Sequence, residues 1–267
     1  MDAPLPSAAA IAIAAPIHGR IARMTNNRWV IDTGDLAATL GLERCLILND
    51  FAAVAHCVAT APARRFEHLA GPDVALPEAG AITVLGPGTG LGVAHLRRFV
   101  DGYHVQATEG GHIAFGPFDA LDDALLHRLR AKYGRVSAER VVSGPGLAEI
   151  HAVLAENDAP ARDDRAIWNS GIAGDDALAV RAVDRFCEAL GGVAGDLALA
   201  HGASGVVVAG KLARRLRDRL RGPDFDARFC AKGRYEAMMA TIPVRLLTHP
   251  EPGLAGAAAA FAKEYAI

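Results

Sequence analysis

Short apolar runs alternate with segments of helical period along the whole of this chain. Strands and helices in that alternation bury each other's apolar faces, so the pattern predicts α/β layers. "AIAIAAP" (residues 10–16), "RCLILND" (44–50), "GVVVAG" (205–210) and "IPVRLLTH" (242–249) read as strands, the first and third as buried ones. "GRIARMTNNRWVID" (19–32) reads as strand, polar turn, strand, with Asn26 and Asn27 in the turn. Helical segments are predicted over 34–41, 50–60, 119–134, 143–157, 175–201, 211–222 and 253–266. Val180, Val183, Cys187, Leu190 and Val193 form the apolar stripe of the longest one. Gly191, Gly192 and Gly195 interrupt it, so either something packs closely there or the helix bends. The polar stretch 157–175 reads as the mobile connection. The basic run 211–221 reads as a solvated helix face rather than a nucleic-acid site.

The 267 residues suffice for one large domain or two moderate ones. Lys plus Arg number 28 against 30 Asp plus Glu, which argues against a nucleic-acid or membrane-surface binder. No apolar run reaches the roughly 18 residues of a membrane span, and the start lacks the basic region of a signal peptide. Cys45, Cys57, Cys187 and Cys230 make no CxxC or zinc pattern. Cys45, Cys57 and Cys187 lie in apolar periodic segments and read as reduced core thiols of a cytoplasmic protein.

"GPGTGLG" (86–92) joins two predicted strands, "AITVL" and "GVAHLRRFV". Its glycines allow either of two readings. Backbone N–H groups could gather on a phosphate, with Thr89 adding a hydroxyl, or a tight hairpin could need glycine for positive φ. The loop is not a Walker A motif, and a strand follows where a dinucleotide fingerprint needs a helix. Asn49 and Asp50 stand where a strand gives way to a helix. Asp50 suits a general base and equally a helix N-cap. "TEGGHIAFG" (108–116) carries Glu109 and His112, which fit a polyhydroxylated ligand or a surface turn. Glu139 precedes another glycine turn, where capping is the ordinary role. One anion loop, three carboxylates and a His, without a nucleophile elbow or a metal cluster, suit phosphoryl transfer to a sugar hydroxyl better than hydrolysis.

In order along the chain, "LNDFAAVAH", "GPGTGLGVAHL", "EGGHIAFGP", "SAERVVSGPGL", "VVVAGK" and "IPVRLLTHPEPGLAGAAA" resemble the bacterial glucokinase family. The resemblance is to its branch without a zinc cluster, since no Cys lies between Cys57 and Cys187. It implies the two-domain actin-like ATPase (ribonuclease H-like) fold, with 1–60 plus 250–267 as a small domain and 61–249 as a large one. It implies a cytoplasmic glycolytic enzyme, with ATP, Mg²⁺ and glucose bound between the domains and a homodimer as a plausible assembly. Asp50 would be the base at the sugar's 6-hydroxyl. Asn26, Asn49, Glu109, His112 and Glu139 would bind the sugar. Gly86, Gly88, Thr89, Gly90 and Gly92 would form the second phosphate loop. Gly210 would lie in the adenosine segment, where Ala209 stands in place of the family's first glycine.

The family opens with a "DxGGT" turn, its first phosphate loop, and no such motif occurs in this sequence. The resemblance therefore leads one to expect a small domain incomplete at its N-terminus, with 10–16 exposing an apolar edge and activity impaired. One reading is a longer reading frame that begins upstream. The other is a short relative that binds sugar without phosphorylating it, and a nonfunctional fragment is a third.

Overall fold

The computed structural model describes residues 6–24, 28–156 and 163–266. Its first elements are β1 (Ala8–Ile13), β2 (Ile17–His18), β3 (Ile21–Arg23), β4 (Val30–Asp32), α1 (Thr33–Leu40), β5 (Arg44–Asn49) and α2 (Asp50–Thr60). β1 runs parallel to β5, with Ile11 opposite Ile47 and Ile13 opposite Asn49. Among the described residues these two strands form a sheet of their own. The side chains of β1 are half-buried rather than buried, because only one of its edges is paired. β2, β3 and β4 make a small antiparallel meander, as the strand–turn–strand reading expects for its last two members. The turn residues Asn26 and Asn27 lie outside the described residues.

The chain continues through β6 (Phe66–Ala70), β7 (Gly80–Pro87), β8 (Leu91–Phe99) and β9 (Gly102–Thr108). Then follow α3 (Ala120–Tyr133), α4 (Ala138–Val141), α5 (Gly144–Leu154), α6 (Asp164–Ala173) and α7 (Ala177–His201). The last elements are β10 (Gly205–Val208), α8 (Lys211–Arg215), α9 (Arg217–Leu220), α10 (Pro223–Cys230), α11 (Glu236–Met239), β11 (Val244–Leu247) and α12 (Pro252–Glu264). Six strands form a mixed sheet in the order β6-β11-β10-β7-β8-β9. β11, β10 and β7 are parallel and central, and antiparallel strands flank them.

Alternation along the strands sorts the core into two layers. Val206, Val208 and Leu246 face the large cluster built on α5, α7 and α10. Val207, Ala209 and Leu247 face the opposite cluster, which α2 fills with Val54, Ala55, Cys57 and Val58. The other side of α2 meets α12 through Ala53, Ala257 and Ala260. A buried charge network ties the helical layer together. The Arg228 guanidinium donates to Asp122 at 2.8 Å, and Arg185 bridges Asp119 and Asp122.

Two readings are refined and an open alternative is resolved. The polar stretch 157–175 contains α6, whose Ile167 and Trp168 are buried, with Trp168 edge-on to Phe186 at 4.9 Å. The basic run keeps a solvated face, with Lys211, Arg215 and Arg221 exposed, but it is not one helix: it breaks into α8 and α9, buries Ala213, Leu216 and Leu220, and pairs several arginines with neighbouring elements. Arg219 pairs with Asp184, Arg217 and Arg221 pair with Glu67, and Arg214 donates to the His249 carbonyl. α7 is one unbroken helix, so its glycines mark close packing and not a bend. A Cβ at Gly191 or Gly195 would run into the Phe225 or Phe229 carbonyl of α10.

All four cysteines are free; Cys57 and Cys187 are buried and Cys45 and Cys230 half-buried. Burial pushes the Cys57 thiol up to about 11, so it stays protonated. No helix among the described residues is long and apolar enough to cross a membrane.

The α7–α10 seam makes a testable contrast. Gly191→Ala forces two backbones apart and lowers stability by about 1–3 kcal/mol. At Gly192 the nearest atom to an added Cβ is Arg228 Nε at 3.7 Å. Gly192→Ala therefore keeps its helix-propensity gain of up to about 1 kcal/mol. Thermal unfolding of the two variants moves in opposite directions.

Candidate active site

β5 ends in an amide and α2 begins with a carboxylate, and the two side chains divide the work of the junction. Asn49 is the N-cap: its Oδ1 accepts from the amides of Phe51 at 2.9 Å and Ala52 at 3.0 Å. Its Nδ2 reaches the Ala15 carbonyl at 3.4 Å, so the amide that the resemblance assigns to sugar is buried and engaged on both sides. Asp50 is relieved of capping. Its Oδ1 accepts one bond, from the Phe51 amide at 2.8 Å. Burial raises the pKa of this half-buried carboxyl, and the Phe51 amide opposes the shift. A carboxylate with raised proton affinity and spare acceptor capacity is the equipment of a general base.

The glycine loop is a three-residue hairpin turn, Gly88-Thr89-Gly90, closed by the pairs Gly86–Gly92 and Pro87–Leu91. The tight hairpin is present, but none of its four glycines has positive φ, so the conformational reason given for them is corrected. The phosphate-cradle reading is corrected in part, because protein already occupies the space beside three of the four. A Cβ at Gly92 would lie inside the Phe51 ring, one at Gly86 would lie 2.7 Å from Phe51 Cζ, and one at Gly90 would strike Glu139 Oε2. Gly88 alone faces open space. The Gly88 amide bonds the Gly90 carbonyl at 2.8 Å, leaving the amides of Thr89 and Gly90 without a partner among the described residues.

The other candidates gather on the same strand. Glu139, in α4, accepts from the Leu91 amide at 3.1 Å through Oε2, which leaves Oε1 for a ligand. Glu109 and His112 bracket a 3-10 turn after β9, exposed, with His112 Nε2 4.0 Å from Glu109 Oε2. Gly111 of that turn presses on the Leu91 carbonyl and Gly110 on Val93. Gly210 follows β10 at φ 104°, a conformation that favours glycine, and its missing Cβ faces the Pro87 carbonyl. Asp50 reaches the hairpin through the ring of its neighbour Phe51. Contacts thus link the start of α2, through Phe51, to the hairpin 86–92, and the hairpin to Glu139, to the Glu109–His112 turn and to Gly210 at the end of β10. β7 and β10 are parallel neighbours in the six-stranded sheet, and ligands of such sheets bind at the carboxyl ends of their strands. Asn26 lies outside the described residues.

Compared with known proteins, residues 2–264 match the family model described as Glucokinase. The chain belongs to the glucokinase family. The glucokinase of Zymomonas mobilis is 50% identical over 265 residues, covering 98% of this chain and 82% of that one. A crystal structure of a glucokinase from an Antarctic psychrotroph superposes with a TM-score of 0.81 at 33% identity, over 94% of this chain and 79% of that one. The Balamuthia mandrillaris glucokinase, solved in complex with glucose, shares the fold at a TM-score of 0.75 and 22% identity, over 96% and 77% of the two chains. The architecture is accordingly the α/β actin-like ATPase fold.

Sequence reasoning about this glucokinase-family chain missed several neighbours of the hairpin. The Gly144 amide donates to the Gly88 carbonyl at 2.8 Å, and a Cβ at Gly144 would lie 2.6 Å from Asp164 Oδ2. Thr89, Tyr133, Glu139, Arg140, Ser143, Pro145 and Glu149 line a cleft of about 40 Å³ beside the turn. Arg140 stacks over the Tyr133 ring at 4.0 Å. The Ser-Gly-Pro-Gly turn was the available signal for Ser143 and Gly144; Asp164 had none.

The division of the glycines is testable by unfolding alone. Gly86→Ala, which meets the Ala209 carbonyl, and Gly92→Ala lose about 1–3 kcal/mol, the usual cost of overpacking, whereas Gly88→Ala melts with the parent. Equal losses at all three positions would contradict it.

Proposed function

We propose that this chain transfers the γ-phosphoryl group of ATP to the 6-hydroxyl of glucose. The observation that carries the reading is the Asp50 carboxyl, freed from capping by Asn49 and made more basic by burial, beside a glycine hairpin with unpartnered amides. The Asp50 carboxylate accepts the hydroxyl proton while the sugar oxygen bonds to phosphorus and the bond to the ADP oxygen breaks. Thr89, with its hydroxyl and amide, and the Gly90 amide receive phosphate oxygens at the open side of Gly88. Glu109, His112 and Glu139 Oε1 are the groups available for the other sugar hydroxyls, with Asn26 and Asn49 as the further sugar-side assignments. Paired carboxylates discriminate between hexoses, because a missing hydroxyl leaves an acceptor unpaired.

Mg²⁺ fits as a companion of the nucleotide, since it keeps several waters and takes one or two carboxylates besides phosphate oxygens. Asp164, next to Gly144 and the hairpin, is a carboxylate able to serve it. Bound there, the ion would neutralise charge on the phosphates. The domain division fits the same picture, with residues 1–60 and 250–267 closing over 61–249. α2 would be the shared wall, since it packs on both α12 and the six-stranded sheet. A cytoplasmic location and a homodimer accompany this proposal.

Protein already fills the space beside Gly86, Gly90 and Gly92, and this favours a second reading: a chain that holds sugar but transfers phosphate slowly or not at all. Isothermal titration with glucose and a coupled ADP-release assay on the 267-residue chain separate the readings. Binding with glucose-dependent ADP release supports the kinase. Binding without ADP release supports the second reading, and no binding sinks both. In the active form Asp50→Asn abolishes transfer and leaves glucose affinity nearly unchanged. Because the folded pKa of Asp50 is raised, its contribution to stability is full in acid and is lost as pH rises through that value. Asp50→Asn therefore raises the melting temperature at pH 7, and the gain vanishes in acid. The acid limb of kcat/KM falls above the ordinary aspartate range.

A further inference from the structure

Phe51 follows the proposed base directly in sequence, and its ring enters the one place where the hairpin has surrendered side chains on both strands. Gly86 and Gly92 are opposite each other in the ladder. A Cβ on either would collide with the Phe51 ring. The Ala209 carbonyl meets that same position at Gly86, so the ring and the end of β10 close together on one side of the hairpin stem. An aromatic laid over a cross-strand glycine pair restores the contacts that the missing side chains forfeit. The Phe51 amide also donates to both Asn49 Oδ1 and Asp50 Oδ1. One residue thus fixes the Asp50 carboxylate through its backbone and the hairpin through its ring.

Resting on the phosphoryl-transfer reading, we infer that Phe51 is a positioning residue that sets the separation between the base and the phosphate-facing turn. It touches no reacting atom. Its substitution lets α2 and the hairpin move independently, and misplacement by about 1 Å costs up to about 100-fold in rate. The effect falls on kcat, because the proposed sugar hydrogen bonds from Glu109, His112 and Glu139 do not pass through the ring.

The test compares Phe51→Ala with Val58→Ala, which removes buried volume from the same face of α2 farther from the site. Both variants lose stability. Phe51→Ala lowers kcat by roughly 10- to 100-fold relative to the parent chain, with KM for glucose within about threefold, while Val58→Ala leaves kcat near the parent's. Hydrogen exchange at residues 86–92 quickens in Phe51→Ala and not in Val58→Ala. Gly92→Ala keeps the ring but removes its seat, so it lowers kcat comparably, and combining it with Phe51→Ala adds little, as expected for partners in one contact. Matching kcat in Phe51→Ala and Val58→Ala, or unchanged exchange at 86–92, overturns the positioning role and leaves the kinase reading standing. A parent chain that binds glucose but releases no ADP overturns the kinase reading, and the positioning role falls with it. Should Phe51→Ala fail to fold, Phe51→Leu carries the same comparison with a smaller expected loss.

Discussion

Elements of this chain approach each other to backbone contact, and they do so wherever a glycine removes the intervening Cβ. α2 sits against the β7–β8 hairpin because Gly86 and Gly92 leave room for Phe51, and against α12 because Gly256 admits the Ala53 carbonyl. α7 lies against α10 at Gly191 and Gly195 in the same way. Interiors are packed as densely as organic crystals, so such seams have little freedom to adjust. The proposed base and the turn it serves inherit their spacing from one of them.

A second constraint acts at the start of α2. Four amides of a helix N-terminus need acceptors, and either Asn49 or Asp50 could have supplied the cap. Giving that task to the neutral amide leaves the charged group half-buried and under-bonded, a state that costs stability at neutral pH. The arrangement is unfavourable for the fold and suits the proton transfer proposed for Asp50, the usual trade at a working site.

Much of this was legible in the sequence. The junction from 44 to 60, the hairpin flanks, the long helix and the closing helix follow from apolar period and glycine or proline punctuation, and all are present. What was not legible depends on partners distant in the chain. β9 and α10 are absent from the sequence reading although Tyr103 and Val105 alternate along the one and Phe225 and Phe229 fall one turn apart on the other; both are short, and pairing with β8 and packing on α7 is what defines them. The basic run reads as a solvated face and is one, but nothing local shows that Arg219 meets Asp184 or that Arg217 and Arg221 meet Glu67. The glycines of 86–92 announced a close approach, but nothing local says that the visitor at Gly86 and Gly92 is an aromatic ring and at Gly90 a carboxylate. Asn49 and Asp50, adjacent and both able to cap, could be told apart only by geometry.

α12 has a bearing on how the site comes into being. It is made some two hundred residues after α2, yet its Gly256 is what seats against the Ala53 carbonyl. During synthesis the helix that carries Asp50 therefore waits, one flank bare, for the ribosome to deliver its cover. Long-range closure of that kind is slow. The setting proposed for Asp50 takes shape only after the stretch bearing Gly256 has emerged.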